Sequence, residues 1–179
     1  MYIAAADYAF GREVSEAFKE AYTAAGGKIV GEVYPPLGNN DYSSYLTTIK
    51  NAKAEAVYAF FAGSDAVRFV QQYDQFGLKE DKKLIGSGWL VSEDVRKSQG
   101  NAGVGTISSI FWDYSIKTEE NRQFKEAFEK KYNERPTIEA LEGYDAAKII
   151  AEALTTLDGD ASDPDKVVEA ISNVEFISP

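Results

Sequence analysis

Ala54–Leu78 reads AEAVYAFFAGSDAVRFVQQYDQFGL, and this stretch decides the fold. Its opening run, Ala56 to Ala62, is apolar without a break, which suits a strand covered on both faces. Gly63 interrupts the run, and Ser64 or Asp65 offers a side-chain oxygen able to cap the free N–H groups of a following helix. Val67, Val70, Tyr73 and Phe76 then recur roughly one helical turn apart, and Gly77 ends the helix. A buried strand, a tight turn and an amphipathic helix are the parts of a parallel sheet covered by helices. Ligands in such sheets sit at the carboxyl ends of the strands, where helix N-termini point unpaired N–H groups. Phe60, Phe61, Ala62, Gly63 and Ser64 occupy that position.

Toward the N-terminus the same grammar repeats. Residues 2–6 form a short apolar strand and Asp7–Gly11 a turn. A helix follows from about Arg12 to Ala25, with Val14, Ala17, Phe18, Ala21 and Tyr22 on one face. Lys28 to Tyr34 reads as a second strand, stopped by Pro35-Pro36-Leu37-Gly38. Asn40 or Asp41 is placed to cap the next helix, striped by Tyr42, Tyr45, Leu46 and Ile49. Toward the C-terminus, Lys83 to Ser87 is a fourth strand running into Gly86-Ser87-Gly88-Trp89, a short helix covers Ser92 to Ser98, and Gly103 to Trp112 reads as a fifth strand. The fold class is therefore α/β, a doubly wound parallel sheet with flanking helices. From Glu119 strands vanish. Helices follow to Asn133, from about Ile138 to Leu157, and after Asp163-Pro164. Their apolar faces have no strands of their own to cover, which predicts self-association if they fold without a partner sheet.

Composition removes several kinds of function. The chain has 179 residues, and its 19 basic and 29 acidic side chains give a net charge of −10. That balance speaks against nucleic acid and against an anionic membrane surface. With neither Cys nor His in the chain, thiol nucleophiles, His-based triads and the common zinc sites are absent. No catalytic set, cofactor or metal is expected. The glycine clusters Gly86-Ser87-Gly88 and Gly100–Gly105 lack the spacing of phosphate-binding loops. No basic leader precedes the first strand, so no signal peptide is read here.

Four stretches carry a resemblance: DYAFGRE at 7–13, GEVYPPLGNNDYSSYLTTIK at 31–50, VYAFFAGSDAVRFVQQYDQFGL at 57–78 and FKEAFEKKYNERPTIEALEGYDAAKIIAEAL at 124–154. Together, in this order, they resemble the type I periplasmic solute-binding proteins of ABC importers, in the branched-chain amino acid family. The resemblance implies two α/β lobes that close on a ligand about a hinge. Residues 1–112 then look like lobe 2, and residues 113–179 like a hinge crossing near Asp113-Tyr114 plus helices that pack on lobe 1. The chain is expected to be an internal part of a longer periplasmic protein, with a membrane permease as partner.

The resemblance and the loop positions together nominate the ligand contacts Tyr8, Phe10, Phe61, Ala62, Gly63, Ser64, Gly88, Trp89 and Asp113. Strand alternation sends Phe60 and Phe61 to opposite faces, so one of the two belongs to the core. One departure bears on the ligand. Amino-acid binders of the family place a carboxylate in the fourth loop, whereas here Glu93 is the nearest acid to Gly86–Trp89. An unpaired buried ammonium is costly. An aromatic or other small carboxylate is therefore expected over a branched-chain amino acid. A ligand-sensing domain on the same fold is the alternative function, and a carboxylate-based enzyme a more distant one.

Overall fold

The computed structural model describes all residues, Met1–Pro179. The chain divides into two compact units, Met1–Ile110 and Phe111–Pro179.

The first unit is built on five parallel strands: β1 (Tyr2–Ala5), β2 (Gly31–Val33), β3 (Ala56–Phe60), β4 (Lys83–Ser87) and β5 (Ile107–Ser109). They lie in the order β2-β1-β3-β4-β5. The direction of winding reverses between β1 and β3, the place where such sheets open a crevice at their carboxyl ends. Register sets Ala5 beside Phe60 and Ala59 beside Gly86. The sheet's carboxyl edge is extended by Asp7, whose N–H donates to the Pro35 carbonyl at 2.8 Å.

Helices α1 (Ala9–Ala24), α2 (Ser43–Asn51), α3 (Gly63–Gln75), α4 (Leu78–Asp81) and α5 (Glu93–Gln99) flank the strands. The core holds Val57, Ala59 and Phe61 of β3 and its end, against Tyr42, Leu46 and Ile49 of α2 and Ala66, Phe69, Val70 and Tyr73 of α3. Phe61 stacks on Phe69, centroids 4.3 Å apart, and Tyr42 meets both rings edge-on. Burial of this core pushes the Tyr42 and Tyr73 phenols well above their ordinary value, desolvation being the largest cause.

Several local expectations are corrected. Helix α1 starts at Ala9 and buries Gly11 and Ser15, while Ala17 and Ala21 are exposed. The reason is contact distance: a Cβ on Gly11 would lie 2.2 Å from the Ala6 carbonyl oxygen, so the helix sits close on β1 through its small residues. Neither Ser64 nor Asp65 caps α3; Ala62 stands at that position and no side chain bonds to the turn. Helix α2 likewise begins after Tyr42, with Asp41 Oδ1 accepting from the Ser43 N–H at 2.9 Å. The fifth strand is confined to Ile107–Ser109, all three exposed, and forms the outer edge of the sheet beside β4.

The second unit is helical: α6 (Glu119–Tyr132), α7 (Ile138–Thr156) and α8 (Pro164–Ser172). Thr118 caps α6 by accepting from the Asn121 N–H, and Asp163 caps α8 by accepting from Asp165 and Lys166. Trp112 donates its indole N–H to Asn121 Oδ1 at 3.0 Å, and Phe124 packs against Phe128 and Tyr144. No helix is long and apolar enough to cross a membrane.

Candidate ligand-binding site

The carboxyl ends of β1, β3 and β4 bring three rings together. Phe10, in the first turn of α1, meets Phe60 at the end of β3 with centroids 5.2 Å apart and planes at 82°. Trp89 completes the group, 6.4 Å from Phe10 and 6.5 Å from Phe60, edge to face in both cases. Tyr8 adjoins Phe10 at 6.5 Å. Edge-to-face packing holds such rings at fixed angles, and of the three Phe10 and Trp89 reach the surface. Phe10 is 47% exposed and Phe60 only 1%, so Phe60 is the floor of the cluster and Phe10 its rim.

Local sequence explains each position. Phe60 and Tyr58 alternate with Val57, Ala59 and Phe61, and only the latter three join the core cluster. Tyr58 instead stacks on Phe18 of α1 at 3.7 Å. The side chain of Phe61 therefore lies in the core, and Phe60 takes its place among the candidate contacts. Trp89 stands in the 3₁₀ turn Gly88–Leu90.

Ala62, Gly63 and Ser64 are exposed at the start of α3. Gly63 has φ +52, a left-handed conformation that strains any residue with a Cβ. The first turn of a helix carries N–H groups without intrahelical partners and the positive end of the helix dipole. An electronegative group is favoured there.

Behind this turn, α3 grips the loop between β2 and α2. The Gly38 N–H donates to Asp65 Oδ2 at 2.8 Å, and Arg68 Nε donates to the Asn39 carbonyl at 2.9 Å. Gln72 accepts from the Tyr42 N–H at 2.8 Å and donates to the Asn40 carbonyl at 2.9 Å. Asp65 is 4% exposed and paired with Arg68. Asp65, Arg68 and Gln72 thus lie along one edge of α3 and satisfy four backbone groups of the loop, on Gly38, Asn39, Asn40 and Tyr42. The spacing of residues in sequence gives no sign of this ladder, because its partners lie 27 to 32 positions apart.

On the opposite side, Arg12 Nε donates to Asp7 Oδ1 at 2.7 Å and its guanidinium lies 4.0 Å from the Tyr34 ring centroid. The Arg12 hydrogen bond holds the Asp7 carboxyl below its usual range. Burial, with the Asp65 charge second, pushes the Tyr8 phenol up. Asp113 belongs to the second unit. Its Oδ1 accepts from the Ser115 N–H at 2.9 Å, the geometry of a turn former.

No group of three or more acidic side chains is placed to hold a metal ion. What remains is an apolar, aromatic wall with nearby helix N–H donors, a surface suited to reversible binding of a small organic molecule.

A sequence model described as periplasmic binding protein matches residues 1–179. The curated protein called Leu/Ile/Val-binding protein homolog 6 of Brucella melitensis is 30% identical over 177 residues, which is 97% of this chain and 45% of that protein. Among solved structures, an ABC transporter substrate-binding protein from Sphaerobacter thermophilus is 37% identical, with a TM-score of 0.88 over 98% of this chain and 48% of that one. A solute-binding protein of an ABC transporter from Rhodopseudomonas palustris, in complex with p-hydroxybenzoic acid, is 32% identical, with a TM-score of 0.89 over 99% of this chain and 49% of that one. The chain thus spans about half the length of the relatives it matches.

Proposed function

We propose that this chain, which belongs to the periplasmic binding protein family, supplies one ligand-holding lobe of the extracytoplasmic solute-binding component of an ABC importer. Residues 1–112 are that lobe. Residues 113–179 are the hinge crossing and helices that pack on the other lobe. A membrane permease is the partner, the compartment is the periplasm, and no bond is made or broken. Closure about the hinge is favoured because the ligand makes more contacts in the closed state than in the open one.

The observation that carries this reading is the ring cluster of Phe10, Phe60 and Trp89 at the carboxyl ends of three strands. It supports an aromatic carboxylate as ligand. Flat ring faces match a flat ring, and the loop Gly86–Trp89 has no carboxylate to neutralise an α-ammonium, which would be left unpaired on closure. The complex of a Rhodopseudomonas palustris relative with p-hydroxybenzoic acid points the same way.

Thermal melting of the full-length gene product against benzoate, 4-hydroxybenzoate, leucine, isoleucine and valine tests the reading. A ligand at a hundred times its Kd stabilises the native state by about 2.7 kcal/mol. The midpoint rises with the aromatic acids and stays unchanged with the amino acids. A rise with leucine alone would replace the aromatic acid by an amino acid. No rise with any of the five would remove the proposed ligand class.

A further inference from the structure

We propose that Gln99 is a positioning residue of this site: its buried carboxamide locks the start of α3 to the Trp89 turn and thereby sets the angle of the indole in the ring cluster. The inference deepens the binding role proposed above and rests on it for its effect on affinity.

Gln99 is the last residue of α5 and is 3% exposed. Its Nε2 donates to the Leu90 carbonyl at 2.7 Å and to the Ala66 carbonyl at 3.2 Å. Leu90 closes the 3₁₀ turn that carries Trp89. Ala66 lies in the first turn of α3, whose N–H donates back to Ala62. One side-chain nitrogen therefore ties the Trp89 turn to the start of α3, two elements that border the site. Both partners are acceptors, so only a donor fits between them, and a carboxamide nitrogen has two hydrogens to give.

The surrounding chain is shaped to admit this side chain. Gly100 follows with φ +57, and a Cβ on Gly103 would come within 2.9 Å of Gln99 Oε1. The glycine cluster at 100–105, too irregular for a phosphate loop, has a use here: it turns the chain away from α5 and leaves room for the amide. A buried amide bridging the Trp89 turn and the start of α3 resists their separation, because stretching either contact gives up a buried hydrogen bond. Trp89 is carried by the turn that Gln99 holds, and its ring meets Phe10 and Phe60 edge to face, so a displacement of that turn alters both ring contacts.

The test uses the full-length protein labelled with 5-fluorotryptophan and observed by fluorine NMR. Trp89 and Trp112 are the only two tryptophans among residues 1–179, and within these residues Trp112, held by Asn121, reports whether the fold is intact. Gln99→Met keeps the volume and removes both donors. Tyr73→Phe is the matched control. It deletes a buried hydrogen bond of α3, from the Tyr73 hydroxyl to the Lys82 carbonyl at 3.0 Å, away from the ring cluster. Gln99→Met is expected to shift or broaden the Trp89 resonance while Trp112 stays in place, and Tyr73→Phe to leave both unmoved. With 4-hydroxybenzoate as probe, Kd is expected to rise at least tenfold in Gln99→Met and less than threefold in Tyr73→Phe. If Gln99→Met does not fold, Gln99→Asn, with its donors on a shorter arm, carries the same comparison. An unmoved Trp89 resonance in the variant that folds overturns the proposal, as does an equal response in Tyr73→Phe. A moved Trp89 resonance in a protein whose wild type binds no aromatic acid upholds the positioning role and overturns the proposed ligand instead.

Discussion

The ring of Phe10 stands edge-on to the ring of Phe60, 5.2 Å between centroids and 82° between planes. A side chain from the exposed first turn of α1 and one from the buried end of β3 thus form a single wall. The two differ in what their removal does. Phe60→Ala empties a buried ring site, and core losses of that kind cost about 3–5 kcal/mol. Phe10→Ala, at a half-exposed position, loses edge-to-face contacts worth about 0.5–1.5 kcal/mol each. Phe10→Ala is expected to weaken 4-hydroxybenzoate binding about tenfold and to lower the melting midpoint less than Phe60→Ala does. Phe60→Ala is expected to lower the midpoint by many degrees. Paired calorimetric titration and melting curves check the difference.

Asp65 predicts an effect on stability through the loop it grips. Asp65→Ala leaves the Gly38 N–H and the Arg68 guanidinium without their buried acceptor. Uncompensated groups of this sort cost about 1–3 kcal/mol. Asp65→Asn, which keeps an acceptor for Gly38, is expected to lose less. Urea melts of the two variants should rank Ala below Asn below wild type, and hydrogen exchange at Gly38 should speed up most in the alanine variant.

Gly11→Ala is the sharpest packing test. The added Cβ would lie 2.2 Å from the carbonyl oxygen of Ala6, a buried backbone atom just past β1 that accepts from the Tyr8 N–H at 3.0 Å. Overpacking of this kind costs about 1–3 kcal/mol, here outweighing the higher helix propensity of alanine. A lowered urea midpoint with an unchanged m-value is the expected result.

Glu119 predicts an acid limb for the helical unit. Hydrogen bonds from Arg122, then from Gln123, lower its carboxyl to about 2. A depressed folded-state value means the contribution is complete above the unfolded value, about 4.3, and is lost as pH falls through about 2. The pair is exposed, so the effect is small and weakens with salt. Glu119→Gln is expected to flatten the fall in stability between about pH 4 and pH 2, and the difference from wild type should shrink in high salt.

The fold was legible because its signals are periodic. Ala56–Ala62 announces a strand buried on both faces, and glycine and proline punctuate the elements around it. What stayed hidden depends on distances that periodicity does not carry. Alternation separates Phe60 from Phe61 but does not say which face is the core. That depends on α2 and α3, whose Tyr42 and Phe69 claim Phe61. Gly11 and Ser15 pack α1 on the sheet through their smallness, a signal that apolar counting passes over. Gln99 and the Asp65-Arg68-Gln72 edge look like ordinary solvated side chains until their backbone partners, 9 to 33 residues away in sequence, come into view.

The central claim is a lobe whose aromatic wall selects an aromatic carboxylate. Isothermal titration of the full-length gene product with 4-hydroxybenzoate, followed by the same titration in excess leucine, tests it most directly. The account predicts saturable binding of the aromatic acid at one site, undiminished by leucine and abolished or strongly weakened by Trp89→Ala. Binding of leucine at one site, with 4-hydroxybenzoate giving no heat and no competition, would contradict it.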